Sequence, residues 1–218
     1  MPRTWKAKNK KGIMFITRPK PGKKMLYSMP LITLLKEMLG LARTSKEAKF
    51  ILTEKNVLVN GTRVNEPKYP VGVFDCIEIK ELGQFYRMVL DRGGRLHLVS
   101  TDRKDAELRP VKVKCKTMLK KGKVQLNFSD GTNLIADKGY AVGDVLLLKL
   151  PKTIESVIKL EKGALVYIVG GKNSGKTGVV KDIAPDGVTF TADSRDFKTL
   201  KEYAFQIGKD KPVIKLND

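Results

Sequence analysis

The sequence predicts an α+β chain of several small domains rather than one large core. Three observations carry this reading. The first thirty residues form an acid-free basic arm, residues 28–80 hold an amphipathic helix pair that runs into an Asn-Gly hairpin, and short β-branched runs separated by turn signals fill the remainder. At 218 residues, 41% of them hydrophobic, the chain is long and apolar enough to fold rather than stay disordered. Forty-three Lys and Arg against 23 Asp and Glu give a formal charge of +20, a balance that attracts polyanions. Cys76 and Cys115 are too few and too far apart for a disulfide framework or a metal site, and the single His97 removes most imidazole catalysis and ligation. No apolar run reaches the ~20 residues of a membrane helix, and no signal-peptide stretch follows the basic N-terminus. A soluble protein of a reducing compartment with an anionic partner is expected, with neither metal nor cofactor.

The arm, residues 1–29, carries Arg3, Lys6, Lys8, Lys10, Lys11, Arg18, Lys20, Lys23 and Lys24 without one acid. Pro2, Pro19 and Pro21, with Gly12 and Gly22, oppose regular helix, so an extended nucleic-acid-binding arm is expected. A solvated tail with no partner has the same charge. Trp5, Phe15 and Tyr27, interleaved with the cations, favour the binding arm because they supply faces for stacking on bases.

Ser28 and Pro30 signal the start of a helix whose apolar positions are Leu31, Leu34, Leu35, Met38 and Leu39, with Gly40 as its C-terminal cap. Thr44-Ser45-Lys46-Glu47 reads as a capping box opening a second helix, which buries Ala48, Ile51 and Leu52. At about 100° per residue, Ser45, Lys46, Lys49 and Thr53 share one sector while Glu47 and Glu54 fall opposite, so one face is cationic and acid-free. Asn60-Gly61 between Val57-Leu58-Val59 and Thr62-Arg63-Val64 is a strong hairpin signal, since both turn residues need positive φ. A further strand is expected at Cys76–Ile79.

From residue 84 on, hairpins are expected at Phe85–Leu90 with Leu96–Val99, and at Val111–Leu119 with Val124–Phe128. A later strand spans Val145–Leu150, and together these suggest a small barrel or sandwich. The second acid-free run, Arg109–Lys123, alternates Val111, Val113 and Cys115 with Lys112, Lys114 and Lys116. Such alternation fits a strand with one buried and one lysine-bearing face, and equally an edge strand guarded by lysines. His97 alternates with Leu96 and Leu98 on a strand with no nucleophile or second ligand beside it, so it reads as structural.

Gly170-Gly171-Lys172-Asn173-Ser174-Gly175-Lys176-Thr177 satisfies the spacing of a nucleotide-binding phosphate loop. That chemistry requires a helix beginning at the lysine, whose N-terminal amides cradle phosphates. Gly178-Val179-Val180 and Pro185-Asp186-Gly187 oppose a helix and favour a strand and hairpin, so nucleotide hydrolysis is not expected.

Leu-Gly-Leu-Ala-Arg-Thr-Ser-Lys-Glu-Ala (39–48), Asn-Val-Leu-Val-Asn-Gly-Thr-Arg-Val (56–64) and Val-Phe-Asp-Cys-Ile-Glu-Ile (73–79) resemble the S4 RNA-binding module of ribosomal proteins, pseudouridine synthases and some tRNA synthetases. The resemblance implies an RNA-facing surface at Arg43, Ser45, Lys46, Lys49, Asn60 and Arg63. The run 162–180 resembles the KOW motif, a small SH3-like barrel, which implies that Lys172, Asn173 and Lys176 lie at an RNA-facing loop. Arm, module, β-rich middle and KOW segment in this order, with Tyr27-Ser28-Met29-Pro30-Leu31 and Tyr69-Pro70-Val71-Gly72, resemble end to end the S4e family of archaeal and eukaryotic small-subunit ribosomal proteins. The chain stops soon after the KOW segment without the basic extension of eukaryotic members, which points to an archaeal origin. The expected domains are 1–29, 30–83, 84–158 and 159–218. The resemblance implies a non-catalytic, cytoplasmic, ribosome-bound role, with small-subunit ribosomal RNA and neighbouring small-subunit proteins as partners and no membrane. A KOW-containing elongation factor and an RNA-modifying enzyme are the rival classes.

Overall fold

A computed structural model describes residues 2–6, 16–136, 139–150, 153–209 and 211–216. The chain is mostly β and divides into two compact units, with the main boundary between Glu107 and Leu108.

In the first unit, β1 (Ser28–Pro30) leads directly into α1 (Leu31–Thr33). Pro30 stands at φ −66° and ψ 140°, the extended conformation its ring favours, so it ends the strand and flanks the helix instead of sitting inside it. Ser28 belongs to the strand, where its hydroxyl donates to the Lys24 carbonyl. The helix widens to a π-type turn over Leu34–Met38, where the Leu39 N–H reaches the Leu34 carbonyl at 3.1 Å. Gly40, at φ +68°, then reverses the chain, as its place in the sequence suggested. Leu31, Leu34 and Leu35 are buried as the apolar spacing requires.

α2 (Ser45–Glu54) buries Ala48 and Leu52, and Ile51 packs against Ala48 from the side. β2 (Val57–Val59) and β3 (Thr62–Arg63) form the Asn-Gly hairpin, with Asn60 at φ 52° and Gly61 at φ 74°. β4 (Pro70–Gly72) pairs with β1. β5 (Cys76–Ile79), β6 (Gln84–Leu90) and β7 (Leu96–Thr101) complete an antiparallel sheet of order β3-β2-β5-β6-β7. The boundary expected at residue 83 therefore falls inside a continuous sheet: the 84–101 hairpin pairs with β5 rather than with the strands that follow. A short helix, α3 (Arg103–Ala106), closes the unit. Buried Arg87 on β6 holds it by donating to the Asp105 and Phe74 carbonyls, 3.5 Å from the Asp105 carboxylate.

The second unit contains two five-stranded antiparallel sheets. The first has order β10-β9-β8-β11-β12, from β8 (Leu108–Met118), β9 (Val124–Phe128), β10 (Asn133–Ala136), β11 (Val145–Lys149) and β12 (Thr153–Ile158). Val111, Val113, Val124, Leu126, Phe128, Leu146 and Leu148 make its core. The alternation expected along β8 does not appear in its burial: Arg109 to Val113 are all buried and Lys114 to Met118 are all exposed. A bulge between Val113 and Cys115 inserts an extra residue, and the following side chains turn to the other face, leaving Cys115 exposed. The second sheet has order β16-β15-β14-β13-β17, from β13 (Leu165–Ile168), β14 (Thr177–Ala184), β15 (Gly187–Ala192), β16 (Arg195–Thr199) and β17 (Ala204–Gly208). Its core centres on Val166, Ile168, Val180, Val188 and Phe190.

Lys112, expected on a solvent-facing lysine stripe or an edge, is only 6% exposed. Its ammonium donates to the carbonyls of Lys201 and Ala204 at 2.5 and 2.6 Å and lies 5.6 Å from the Phe205 ring, joining β8 to the segment that carries β17. Burial pushes its pKa from 10.5 down to about 8, against a smaller opposing pull from Glu202. β8 is thus neither of the two strand types that its sequence fits.

Candidate nucleic-acid interface

The site begins at the start of α2. Thr44 Oγ1 accepts from the Glu47 N–H at 3.2 Å, which satisfies one orphan amide of the first turn. Glu47 replies one residue earlier than the usual box: its carboxylate accepts from the Arg43 N–H at 2.8 Å and from the Thr44 hydroxyl at 3.0 Å. The Arg43 amide, then the Thr44 hydroxyl, hold the Glu47 carboxyl below its ordinary range. The one acid in this turn is therefore engaged by its own helix end. Arg43, Ser45, Lys46 and Lys49 are all exposed. The Lys49 carbonyl accepts from the Thr53 hydroxyl at 3.0 Å, while the ammonium groups of Lys46 and Lys49 make no ion pair or hydrogen bond among the described residues. Lys36 reaches the Ser45 hydroxyl at 3.5 Å. Arg63, exposed on β3, donates to the Thr53 carbonyl at 3.0 Å and so brings a guanidinium from the hairpin onto the last turn of α2. Five of the six residues implied by the S4 resemblance are thereby assembled around one helix.

Asn60 is the exception. Its amide donates to Asp75 and accepts from the Cys76 N–H, both at 2.9 Å, so both ends are taken up in holding the turn that its positive φ creates. Its side chain is committed to the turn.

The arm also departs from expectation. Trp5 is fully buried, with its indole N–H donating to the Ser28 carbonyl at 2.9 Å, so it packs in the first unit and offers no face to a base. Lys23 is ion-paired with buried Asp75, and Lys20 is paired with Glu66 at 2.5 Å. The Lys20 N–H also donates to the Lys68 carbonyl at 2.8 Å. Residues 16–29 are therefore tied to the module by acids that lie 46 and 52 positions further along the chain. Arg3, Lys6, Arg18 and Lys24 are exposed. Lys8, Lys10, Lys11 and Phe15 lie outside the described residues.

At the phosphate-loop look-alike, a strand begins at Thr177 where a nucleotide site would require a helix, so the amide cradle does not form. Gly178 sits against the next strand so closely that a Cβ would lie 2.5 Å from the Thr191 carbonyl oxygen, which fixes glycine there. Lys172 is exposed. Asn173 accepts the Lys176 N–H on its carbonyl, and the Lys176 ammonium lies 3.9 Å from the centre of the Phe197 ring, itself stacked on Phe190. Lys172 and Asn173 stay at the loop surface, whereas Lys176 is held against an aromatic face.

Sequence reasoning missed Phe50. It is 65% exposed on α2, and the signal was present: Ala48, Ile51 and Leu52 already complete the apolar face without it. Elsewhere, burial pushes the Cys76 thiol up to about 11, and His97 stands opposite Val89 in the β6–β7 pair. The described residues contain no cluster of three metal-ligating side chains and no helix long and apolar enough to cross a membrane.

Family models match three consecutive stretches: the S4 domain at residues 29–77, the Ribosomal family S4e at 82–153 and the KOW motif at 162–192. The fold is thus that of an S4-domain and KOW-motif protein. Small ribosomal subunit protein eS4 of Archaeoglobus fulgidus is 37% identical, covering 99% of this chain and 94% of the relative. The eS4 protein of Methanosphaera stadtmanae is 40% identical, covering 99% and 92%. The crystal structure of 30S ribosomal protein S4e from Thermoplasma acidophilum superposes with a TM-score of 0.73 at 33% identity, over 84% of this chain and 96% of that one. The chain belongs to the ribosomal protein S4e family.

Proposed function

We propose that this chain is a structural constituent of the small ribosomal subunit that binds small-subunit ribosomal RNA and stabilises it during assembly and translation. Its expected partners are that RNA and the neighbouring subunit proteins, and its expected location is the cytoplasmic ribosome. The observation that carries the reading is the near end-to-end similarity to proteins named small ribosomal subunit protein eS4. The exposed cations on α2 supply the chemistry. Arg43, Lys46 and Lys49 face solvent with the local acid already engaged, an arrangement suited to phosphates and read by shape rather than by sequence. The exposed part of the arm (Arg3, Lys6, Arg18) and the loop residue Lys172 are further candidate phosphate contacts. The role needs no nucleophile or acid–base pair. An elongation factor or modifying enzyme would account for a KOW or an S4 segment alone, but not for the match at 82–153 between them.

Sucrose-gradient sedimentation of tagged protein in cells is expected to place it with small subunits, with ultraviolet crosslinks concentrated at one locus of small-subunit RNA. Sedimentation with RNA polymerase, or crosslinks spread over nascent transcripts, would reject the proposal. The double variant Lys46→Ala, Lys49→Ala should lower the slope of log affinity against log salt by about 1–2, since each phosphate contact contributes roughly 0.7–0.9.

A further inference from the structure

Phe50 is the one exposed phenylalanine among the described residues, and nothing in its own unit covers it. On the helix it follows Lys46 by one turn, about 40° around the axis, and it adjoins Lys49 in sequence. No other residue of α2 is both apolar and exposed, so the helix lacks the repeated i, i+3, i+4, i+7 anchors with which an amphipathic helix docks on a protein groove. Around the axis the ring stands about 40° from Lys46, one turn before it, and about 40° from Glu54, one turn after it, with Glu47 about 60° away. Glu47 is engaged by the capping contacts, and Glu54 lies a turn further toward the C-terminus, so the cations stand on the N-terminal side of the ring. A single flat apolar surface beside phosphate-binding lysines suits one ligand chemistry: a nucleotide whose backbone is held by the lysines and whose base is out of its own stack.

We infer that Phe50 stacks on an unpaired nucleobase of the RNA bound at the α2 surface. The inference rests on the proposed RNA-binding reading and deepens it, because the lysines would hold backbone of any sequence, whereas the ring selects a looped, bulged or terminal nucleotide over a continuous helix. A duplex presents no free base face to it.

The test uses the full chain and in vitro transcribed small-subunit ribosomal RNA of the same organism. Phe50→Ala and Phe50→Leu are expected to weaken binding by about five- to a hundredfold, the range of one base–aromatic stack, while Phe50→Tyr retains it. The side chain is exposed, so the variants should melt as the wild type does. In Phe50→Trp the new indole should be quenched by the RNA; the native Trp5 is buried and does not report on this surface. Binding by Phe50→Ala and Phe50→Leu at wild-type affinity, with an unquenched Phe50→Trp, would overturn the stacking role while leaving RNA binding intact. Wild-type affinity for the RNA combined with lost incorporation into subunits would assign the ring to a protein neighbour and equally overturn it. Failure of the wild-type chain to prefer this RNA over an unrelated transcript of equal length would reject both readings.

Discussion

Lys23 in the first unit and Lys112 in the second are both turned inward, and the two units hold them differently. Lys23 meets the carboxylate of Asp75, which also accepts the Gly72 N–H at 2.6 Å and the Asn60 amide at 2.9 Å. Among the described residues Lys112 meets no carboxylate at hydrogen-bond distance; two backbone carbonyls and an aromatic ring lie against its ammonium. The first lysine shares a buried charge pair that ties arm, hairpin and the loop before β5 together. The second is solvated by neutral dipoles and is depressed to a pKa of about 8. The difference teaches what a net charge of +20 does and does not state. Some of the cations that give the composition its nucleic-acid character are fastenings of the fold, and those left facing outward on α2 are fewer and more specific than the total suggests.

The largest expected effect is on the first unit. Asp75→Ala strips a partner from Lys23, from the Gly72 amide and from Asn60 at once, which places it with the removal of one member of a buried pair, at about 3–5 kcal/mol. Urea denaturation of the full chain should show a markedly lower midpoint. Asp75→Asn keeps the shape but not the charge and should fall between the two. An unchanged midpoint in Asp75→Ala would mean that the arm is not fastened through this carboxylate.

The second unit should respond to pH instead. A lysine whose folded pKa lies below its unfolded one favours the folded state in its neutral form. The contribution is therefore absent below about pH 8, grows as pH rises toward 10.5 and is complete above it. Across that window it amounts to roughly 3 kcal/mol at most, since each pK unit corresponds to about 1.4 kcal/mol. Neutral lysine keeps two N–H donors, so both carbonyls remain satisfied as the proton leaves. In Lys112→Met the difference in melting temperature from wild type should widen between pH 7.5 and pH 10. Parallel curves for the two proteins would show that Lys112 is not the group responsible.

Local signals were the legible ones. The capping box, Gly40, the Asn-Gly turn and the strand after Lys176 each depend on a few neighbouring residues, and each stands where the sequence put it. Pairings over long sequence distance were not legible. Nothing near Trp5 reveals that its indole will meet the Ser28 carbonyl, and nothing near Lys23 reveals Asp75. β8 shows the same limit in strand form: its alternation was readable, but one inserted residue at 114 flips Cys115, and the segment around β17 covers Lys112. Phe50 was legible only by subtraction, as the apolar residue that the core face of α2 did not require.

The smallest effect bears on the outward-facing side of the comparison. Thr44→Ala removes the side-chain acceptor for the Glu47 N–H and the hydroxyl donor to the Glu47 carboxylate, with an expected stability cost of about 1 kcal/mol for loss of a helix N-cap. Arg43, Ser45 and Lys46 all stand on the turn so loosened, and Glu47, no longer held by Thr44, regains freedom beside them. RNA affinity should therefore fall by a few-fold although none of the exposed cations of α2 has changed. Acid separates this route from a direct contact. The wild-type Glu47 carboxyl is depressed below its ordinary value near 4.5, so its contribution is present above that pH and is lost as pH falls through the folded value. Melting temperatures of wild type and Thr44→Ala should differ most near neutrality, and in acid the difference should shrink to the part carried by the Thr44 hydroxyl and the Glu47 N–H, which does not titrate. A difference that does not narrow at all in acid would show that the cap acts through the Glu47 N–H alone, and that the acid-free face of α2 does not depend on that carboxylate being engaged.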